Sequence, residues 1–265
     1  MLDFTYNVSV FNKNYEVREI SFLEYRNFVK SNVDNDLQFT DVLFEKLLKT
    51  VLVNPQPDIN VLTKFLILLK VRSTIIGQSI EFNLEDRQIA YPVDFIFDKF
   101  NKPYEKFVYE IDGVFYTFDL PSCLYPKTEL FERVYDCLYS IGDLVLTKNV
   151  KTEVYDNLPG LPVSDIHSKL MEHFENTKYT LERIDYTLTP LDSSFLTFLK
   201  SVFNSDLKGL YDIEYALRRN LNFSSLDFDK LSYPECNILL RTFAEEMSQA
   251  DKKGNEVENS SQTDN

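Results

Sequence analysis

Tryptophan is missing from this 265-residue chain, glycine occurs only six times and histidine only twice. Each scarcity removes a class of chemistry. So few glycines argue against a turn-dense all-β fold and against Gly-rich phosphate loops, and no such loop is present. The three cysteines, Cys123, Cys137 and Cys236, are odd in number, far apart and free of any C-x-x-C pair. Neither a zinc knuckle nor a disulfide framework is indicated, and they read as small apolar residues of a reducing compartment. His167 and His173 stand six apart, on different sides of a helix, unlike the i, i+4 pair of a zincin. A Ser-His-Asp or Cys-His arrangement would have to use one of these two. Nothing around Ser164, Ser168 or the cysteines resembles a nucleophile elbow.

Positive charge is short as well. Lys and Arg number 28 against 42 Asp and Glu, a formal net charge of −14. Such a surface repels phosphate backbones and anionic membranes, so neither nucleic acid nor a lipid surface is an expected partner. The charge reads either as solubility or as attraction to a basic protein. Long apolar runs are absent too. Phe65–Leu69 is closed by Lys70 and Arg72, far short of the roughly 20 residues of a membrane span. Met1–Val10 carries Asp3 and lacks the basic start and apolar stretch of a signal peptide, so the expected location is the cytoplasm.

What is present is ample material for a core: 44% apolar residues, with 22 Phe and 16 Tyr. Alternation over Phe4–Val10 and Tyr15–Ile20, with turn residues Asn12-Lys13-Asn14 between, predicts a hairpin. Ser21 and Glu24 have capping-box spacing, with Ile20 and Tyr25 placed as a hydrophobic staple, and predict a helix from Phe22. Phe39, Leu43, Leu47 and Val51, flanked by Phe44, Leu48 and Leu52, form the apolar face of a second helix, stopped by Asn54-Pro55-Gln56-Pro57. Asp58 can cap a third, Ile59 to about Ile76, which is apolar nearly all round and so central. Ser79–Leu84 alternates, and Phe107–Ile111 with Val114–Phe118 flank the hairpin signal Asp112-Gly113. Val93–Phe97 fits strand or helix. Beyond a hinge at Pro121–Pro126 the pattern becomes helical: Phe131, Val134, Tyr135 and Leu138, then a turn-rich loop around Leu158–Pro162. Further helices start at Ser164 or Asp165, at Thr189-Pro190, and at Gly209 or Asp212, and a second capping box, Ser232 to Glu235, opens the last.

These elements predict an α+β fold: a small β-hairpin and sheet region packed with helices over 1–120, a mostly helical region over 121–247, and a disordered tail over 248–265, where apolar residues almost vanish. Candidate chemistry is thin. Glu110 and Asp112 read as a solvated turn, and Glu214 with Arg218 as a helix-face ion pair. Phe195, Phe198, Tyr211 and Tyr215 serve either a core or an interface. No catalytic, cofactor or metal residue is assigned, and no partner-binding residue is singled out.

Read in order, one organisation stands out. A Tyr/Val hairpin runs into Glu19-Ile20-Ser21-Phe22-Leu23-Glu24-Tyr25, and an apolar helix leads through Leu69-Lys70-Val71-Arg72-Ser73 to Ile76-Gly77-Gln78-Ser79-Ile80-Glu81-Phe82. Cys137-Leu138-Tyr139-Ser140-Ile141-Gly142-Asp143 follows. Tyr211-Asp212-Ile213-Glu214-Tyr215-Ala216-Leu217, a Leu226–Leu231 turn and the Pro234-Glu235 helix close the chain. This organisation, up to about Met247, resembles the baseplate hub assembly proteins of T4-like tailed bacteriophages. The resemblance implies a late viral protein made in the host cytoplasm, non-enzymatic and without cofactor. Its partners would be hub and tail proteins. Glu85-Asp86-Arg87-Gln88 stands where some relatives carry paired cysteines. Two other readings remain: an acidic adaptor that binds a host protein, and a carboxylate hydrolase, which would require a close Asp/Glu pair in a deep pocket.

Overall fold

A computed structural model describes residues 4–33, 35–54, 59–83, 88–147, 151, 160–177, 179–182, 184, 186–204 and 206–261. Strands β1 (Thr5–Val10) and β2 (Lys13–Arg18) form the N-terminal hairpin, but its turn is Phe11-Asn12 rather than Asn12–Asn14. Both turn residues have positive φ, 49° and 63°, as a two-residue turn matched to the strand twist requires. Asparagine tolerates that conformation, whereas Phe11 needs outside help. Its amide donates to Asn101 Oδ1 at 2.8 Å and its ring meets the edge of Tyr104.

The Glu24 amide donates to Ser21 Oγ at 3.1 Å and the Ser21 amide to Glu24 Oε2 at 2.9 Å, the capping box that starts α1 (Phe22–Val33). Ile20 and Tyr25 are both buried beside it. Helix α2 (Leu37–Val51) is capped by Asp36 and buries Thr40, Phe44, Leu47, Leu48 and Val51. That stripe is rotated from the one expected, so Phe39 is left 48% exposed. Helix α3 (Val61–Ile76) is capped by Asn60, whose Oδ1 accepts from the Thr63 amide at 3.0 Å. Asp58, the expected cap, and Pro55–Pro57 lie outside the described residues. As its all-round apolar sequence requires, α3 is buried without a break from Val61 through Leu69.

Strands β3 (Ser79–Asn83) and β4 (Gln88–Pro92) form a hairpin of which only β3 was legible in the sequence. The ambiguous Val93 segment is helix α4 (Val93–Phe100), burying Val93, Ile96, Phe97 and Phe100 at helical spacing. Strands β5 (Phe107–Ile111) and β6 (Val114–Phe118) turn at Asp112 and Gly113, with φ of 50° and 79°. Helix α5 (Leu130–Cys137) stops one residue before Leu138, which was expected to continue it. Leu138 instead opens β7 (Leu138–Ile141), and Gly142 at φ 53° turns the chain into β8 (Leu144–Val145). The four strands form one antiparallel sheet, ordered β5-β6-β7-β8, drawing strands from both sides of Leu120. Helix α6 (Val163–His173) buries Ile166 and Leu170, with Phe174 buried in the 3-10 turn that follows.

A short hairpin, β9 (Tyr179–Leu181) with β10 (Tyr186–Leu188), precedes α7 (Ser194–Asn204). Helix α7 begins after Thr189-Pro190 rather than at it, because Ser194 Oγ accepts from the Thr189 amide at 2.7 Å and closes a turn there. Its inner face is Phe195, Phe198, Leu199 and Val202, as the spacing predicts. Helix α8 (Leu207–Leu221) opens ahead of Gly209, just after Asp206. After α9 (Ser225–Phe228), the Ser232–Glu235 capping box starts α10 (Tyr233–Ser261), whose backbone helix runs on through most of 248–265.

Buried residues from Val8 to Cys236 form one core around α3. Segment Pro121–Pro126, read as a hinge, is tied down: the Val61 amide donates to Pro121 O at 2.7 Å, and Leu124 is fully buried. The architecture is α+β, with small antiparallel sheets set among helices.

Candidate functional site

Helices α2, α3 and α5, segment 119–127 and strands β7–β8 surround a cleft of about 920 Å³. Leu48, Leu52, Leu120 and Leu146 give it an apolar floor. Asp41 and Glu45, four apart on α2, both face it, as i, i+4 spacing dictates. Lys64 of α3 reaches between them, donating to Glu45 Oε1 and to the Ser122 carbonyl at 2.6 Å. Across the cleft, Asp136 of α5 accepts from the amides of Ser122 (2.9 Å) and Cys123 (3.1 Å) and from the Ser122 hydroxyl.

Burial, then the Glu45 charge, pushes the Asp41 carboxyl up to about 6, against the pull of Lys64 and the amides of Tyr125 and Leu124. Its Oδ1 is buried without a hydrogen-bond partner. An ionised Asp41 is therefore a cost to the folded state. Since the folded pKa lies above the unfolded value, stability falls as pH rises from about 4 to about 6 and stays low above that. Asp41→Asn is expected to stabilise the protein at pH 8 by about 1–2 kcal/mol, after allowance for solvent screening at an open cleft. The gain should vanish near pH 4. Urea unfolding at the two pH values checks this, and equal midpoints for both proteins at pH 8 would remove Asp41 as a strained group.

The cysteines behave as apolar residues. Burial pushes Cys123 up to about 11 and Cys236 up to about 12, and holds Cys137 well above the ordinary thiol range. Thiols so protonated are poor nucleophiles at neutral pH. The histidines are not brought together. His173 Nε2 meets the Glu105 carbonyl at 2.9 Å and its ring packs on Phe107 and Phe174. His167 lies near Arg133, and burial holds its pKa low. Among the described residues no group of three or more His, Cys, Asp or Glu side chains could hold a metal ion.

Other residues singled out in the sequence separate cleanly. Glu110 and Asp112 are exposed on their hairpin. Glu214 accepts from Arg218 Nε at 3.0 Å, as its spacing suggests, and also from Arg26 of α1, which no local pattern shows. The two guanidiniums together outweigh burial and hold its carboxyl below the usual range. Phe195 and Phe198 belong to the core, whereas Tyr211 is 43% and Tyr215 64% exposed.

One surface was not legible in the sequence. The strand register puts Val108, Phe115 and Val145 on the same face of the four-stranded sheet, each about half exposed. Gly142 donates to the Phe115 carbonyl at 2.7 Å, so the turns after β5 and β7 lie at the same end. Val145 and Tyr139 also line the cleft, which makes the sheet face and the cleft mouth continuous. The available signal was that β5 and β6 carry apolar residues on both faces, one more than a single core needs.

No protein-family model, curated protein or solved structure matches this chain. Among the described residues, no helix is long and apolar enough to cross a membrane.

Proposed function

We propose that this chain works by binding other proteins, as an assembly factor or subunit of the baseplate hub of a T4-like tailed phage. The hub reading is supported by the ordered resemblance carried by the capped first helix, the apolar α3, the Cys137–Asp143 stretch and the Pro234-Glu235 helix. A binding role is supported by one observation above others: the half-exposed Val108, Phe115 and Val145 beside a cleft of about 920 Å³. Apolar surface of this kind, rimmed by polar groups, marks interaction sites. The Asp41–Glu45 pair favours packing over acid–base chemistry, because the Lys64 ammonium already engages Glu45 and ties it to Ser122.

Affinity capture of the tagged chain from phage-producing cells, with the recovered proteins identified by mass spectrometry, tests this. Hub and tail proteins are the expected result. Phe115→Asp should reduce their recovery about tenfold or more, the effect of losing an apolar anchor. Comparison with purified particles then separates a subunit, found in both, from a transient factor, found only in the lysate. If only a host protein is recovered under gentle salt, the acidic-adaptor reading replaces the hub.

A further inference from the structure

The two faces of the four-stranded sheet meet different surroundings. On one, Phe107 packs against His173, the Tyr109 hydroxyl donates to Asp165 Oδ2 at 2.5 Å, and Tyr116 and Phe118 are buried, so α6 and the core cover it. On the other, Val108, Phe115 and Val145 are 54%, 53% and 49% exposed. The charges beside Phe115 are all of one sign. Glu110 stands directly across from it in the strand register and so shares its face. Asp112 lies in the turn that joins their strands, and Asp143 in the turn after β7, where the Gly142 amide reaches the Phe115 carbonyl at 2.7 Å. Glu110, Asp112 and Asp143 are all exposed, and among the described residues none of them has an ion-pair partner. Lys106, just ahead of β5, is drawn off to Asp119 at 3.4 Å and to the Tyr139 ring.

We propose that this open face takes a segment of a partner protein in which bulky apolar residues sit beside Lys or Arg. Val108 and Phe115 meet the apolar side chains, and Glu110, Asp112 and Asp143 meet the cations. Charge complementarity decides the choice of occupant. An acidic segment would bring like charges onto these carboxylates and onto a chain whose net charge is already −14. A purely apolar segment would cover the Glu110 carboxylate beside Phe115 and leave it desolvated without a counter-charge. The same face of a second copy is disfavoured on the first ground, since it would set each carboxylate cluster against its own kind. The inference rests on the binding role proposed above and adds the chemistry of the partner.

Fluorescence anisotropy of a labelled short peptide, with a valine–phenylalanine centre and lysines at both ends, titrated with the purified full chain, tests it. Saturable binding is expected, and the same peptide with glutamate in place of lysine should not bind. Combining Glu110→Gln, Asp112→Asn and Asp143→Asn should weaken binding about tenfold or more. These sites are exposed, and asparagine tolerates the positive φ of position 112, so folding is not at stake. Asp212→Asn with Glu245→Gln and Glu246→Gln removes as much charge from exposed sites on α8 and α10. It leaves the sheet untouched and should change the affinity by less than about threefold, because salt screens exposed charges. No binding of the lysine peptide, equal binding of the glutamate version, or equal losses in the two combined variants would each overturn the proposal. Recovery of partner proteins by the Phe115→Asp chain tests the binding role by itself, so that role and the chemistry of the partner fail separately.

Discussion

Replacing Asp206 with alanine is expected to destabilise the protein by about 3–5 kcal/mol, the usual cost of removing one partner from a buried ion pair. Asp206 Oδ1 receives Arg72 Nη2 at 2.9 Å, and the two side chains are 4% and 3% exposed. Its Oδ2 also accepts the Tyr25 hydroxyl at 2.6 Å. Alanine would strand a guanidinium in the core and leave the Tyr25 hydroxyl without its acceptor. Arg72 keeps its bonds to the carbonyls of Gly77 (3.1 Å) and Ser79 (2.7 Å), but those neutralise no charge. Asp206→Asn, which retains an acceptor, should lose less. Urea unfolding followed by circular dichroism measures both. A loss below about 1 kcal/mol for Asp206→Ala would mean that water reaches the site and that the pair contributes little. Converting Arg72 and Asp206 together to apolar residues should recover much of the loss, because the uncompensated charge disappears with its partner.

Phe65→Ala is the second large effect, expected at about 3–5 kcal/mol. Phe65 is fully buried on α3, with its ring centroid 4.6 Å from Phe195, 5.3 Å from Phe100 and 5.9 Å from Phe198. It joins α3 to α4 and α7, so truncation opens a cavity bounded by three rings on two other helices. Such a wall cannot collapse without moving the helices that carry it, which places the site toward the upper end of the range. Phe65→Leu should lose clearly less, because most of the volume is retained. If alanine and leucine cost the same, the loss comes from broken ring–ring contact and not from the cavity.

Where the sequence was legible, the cause lay within a few residues. Both capping boxes, Ser21 with Glu24 and Ser232 with Glu235, are local exchanges of hydrogen bonds and sit where the spacing put them. The Asp112-Gly113 turn and the buried α3 follow in the same way from residue type. Where reading failed, distant residues decided. Phe11 occupies a turn position because Asn101 receives its amide. Leu138 leaves its helix because Phe118 offers it a strand partner. The β9–β10 hairpin is too short for alternation to stand out, and β4 has only Ile89 and Tyr91 as large apolar residues before Pro92 interrupts the pattern. The candidate site was the least legible part. Asp41, Glu45, Lys64 and Asp136 come from three helices, and no motif links them. The face of Val108, Phe115 and Val145 exists only once the strand register is set.

The bond between Tyr25 and Asp206 joins residues 181 positions apart. At about 5–20 residues per second of synthesis, roughly 10–40 s separate the emergence of these two partners from a ribosome. For most of that interval neither α7 nor α8 has emerged to cover α1, and the apolar α3 emerges early in the same wait. Until α7 and α10 emerge, α3 can be covered only by the N-terminal hairpin and α4. Arg72, whose carboxylate partner lies 134 positions further on, likewise has no native counter-charge until the Asp206 region arrives.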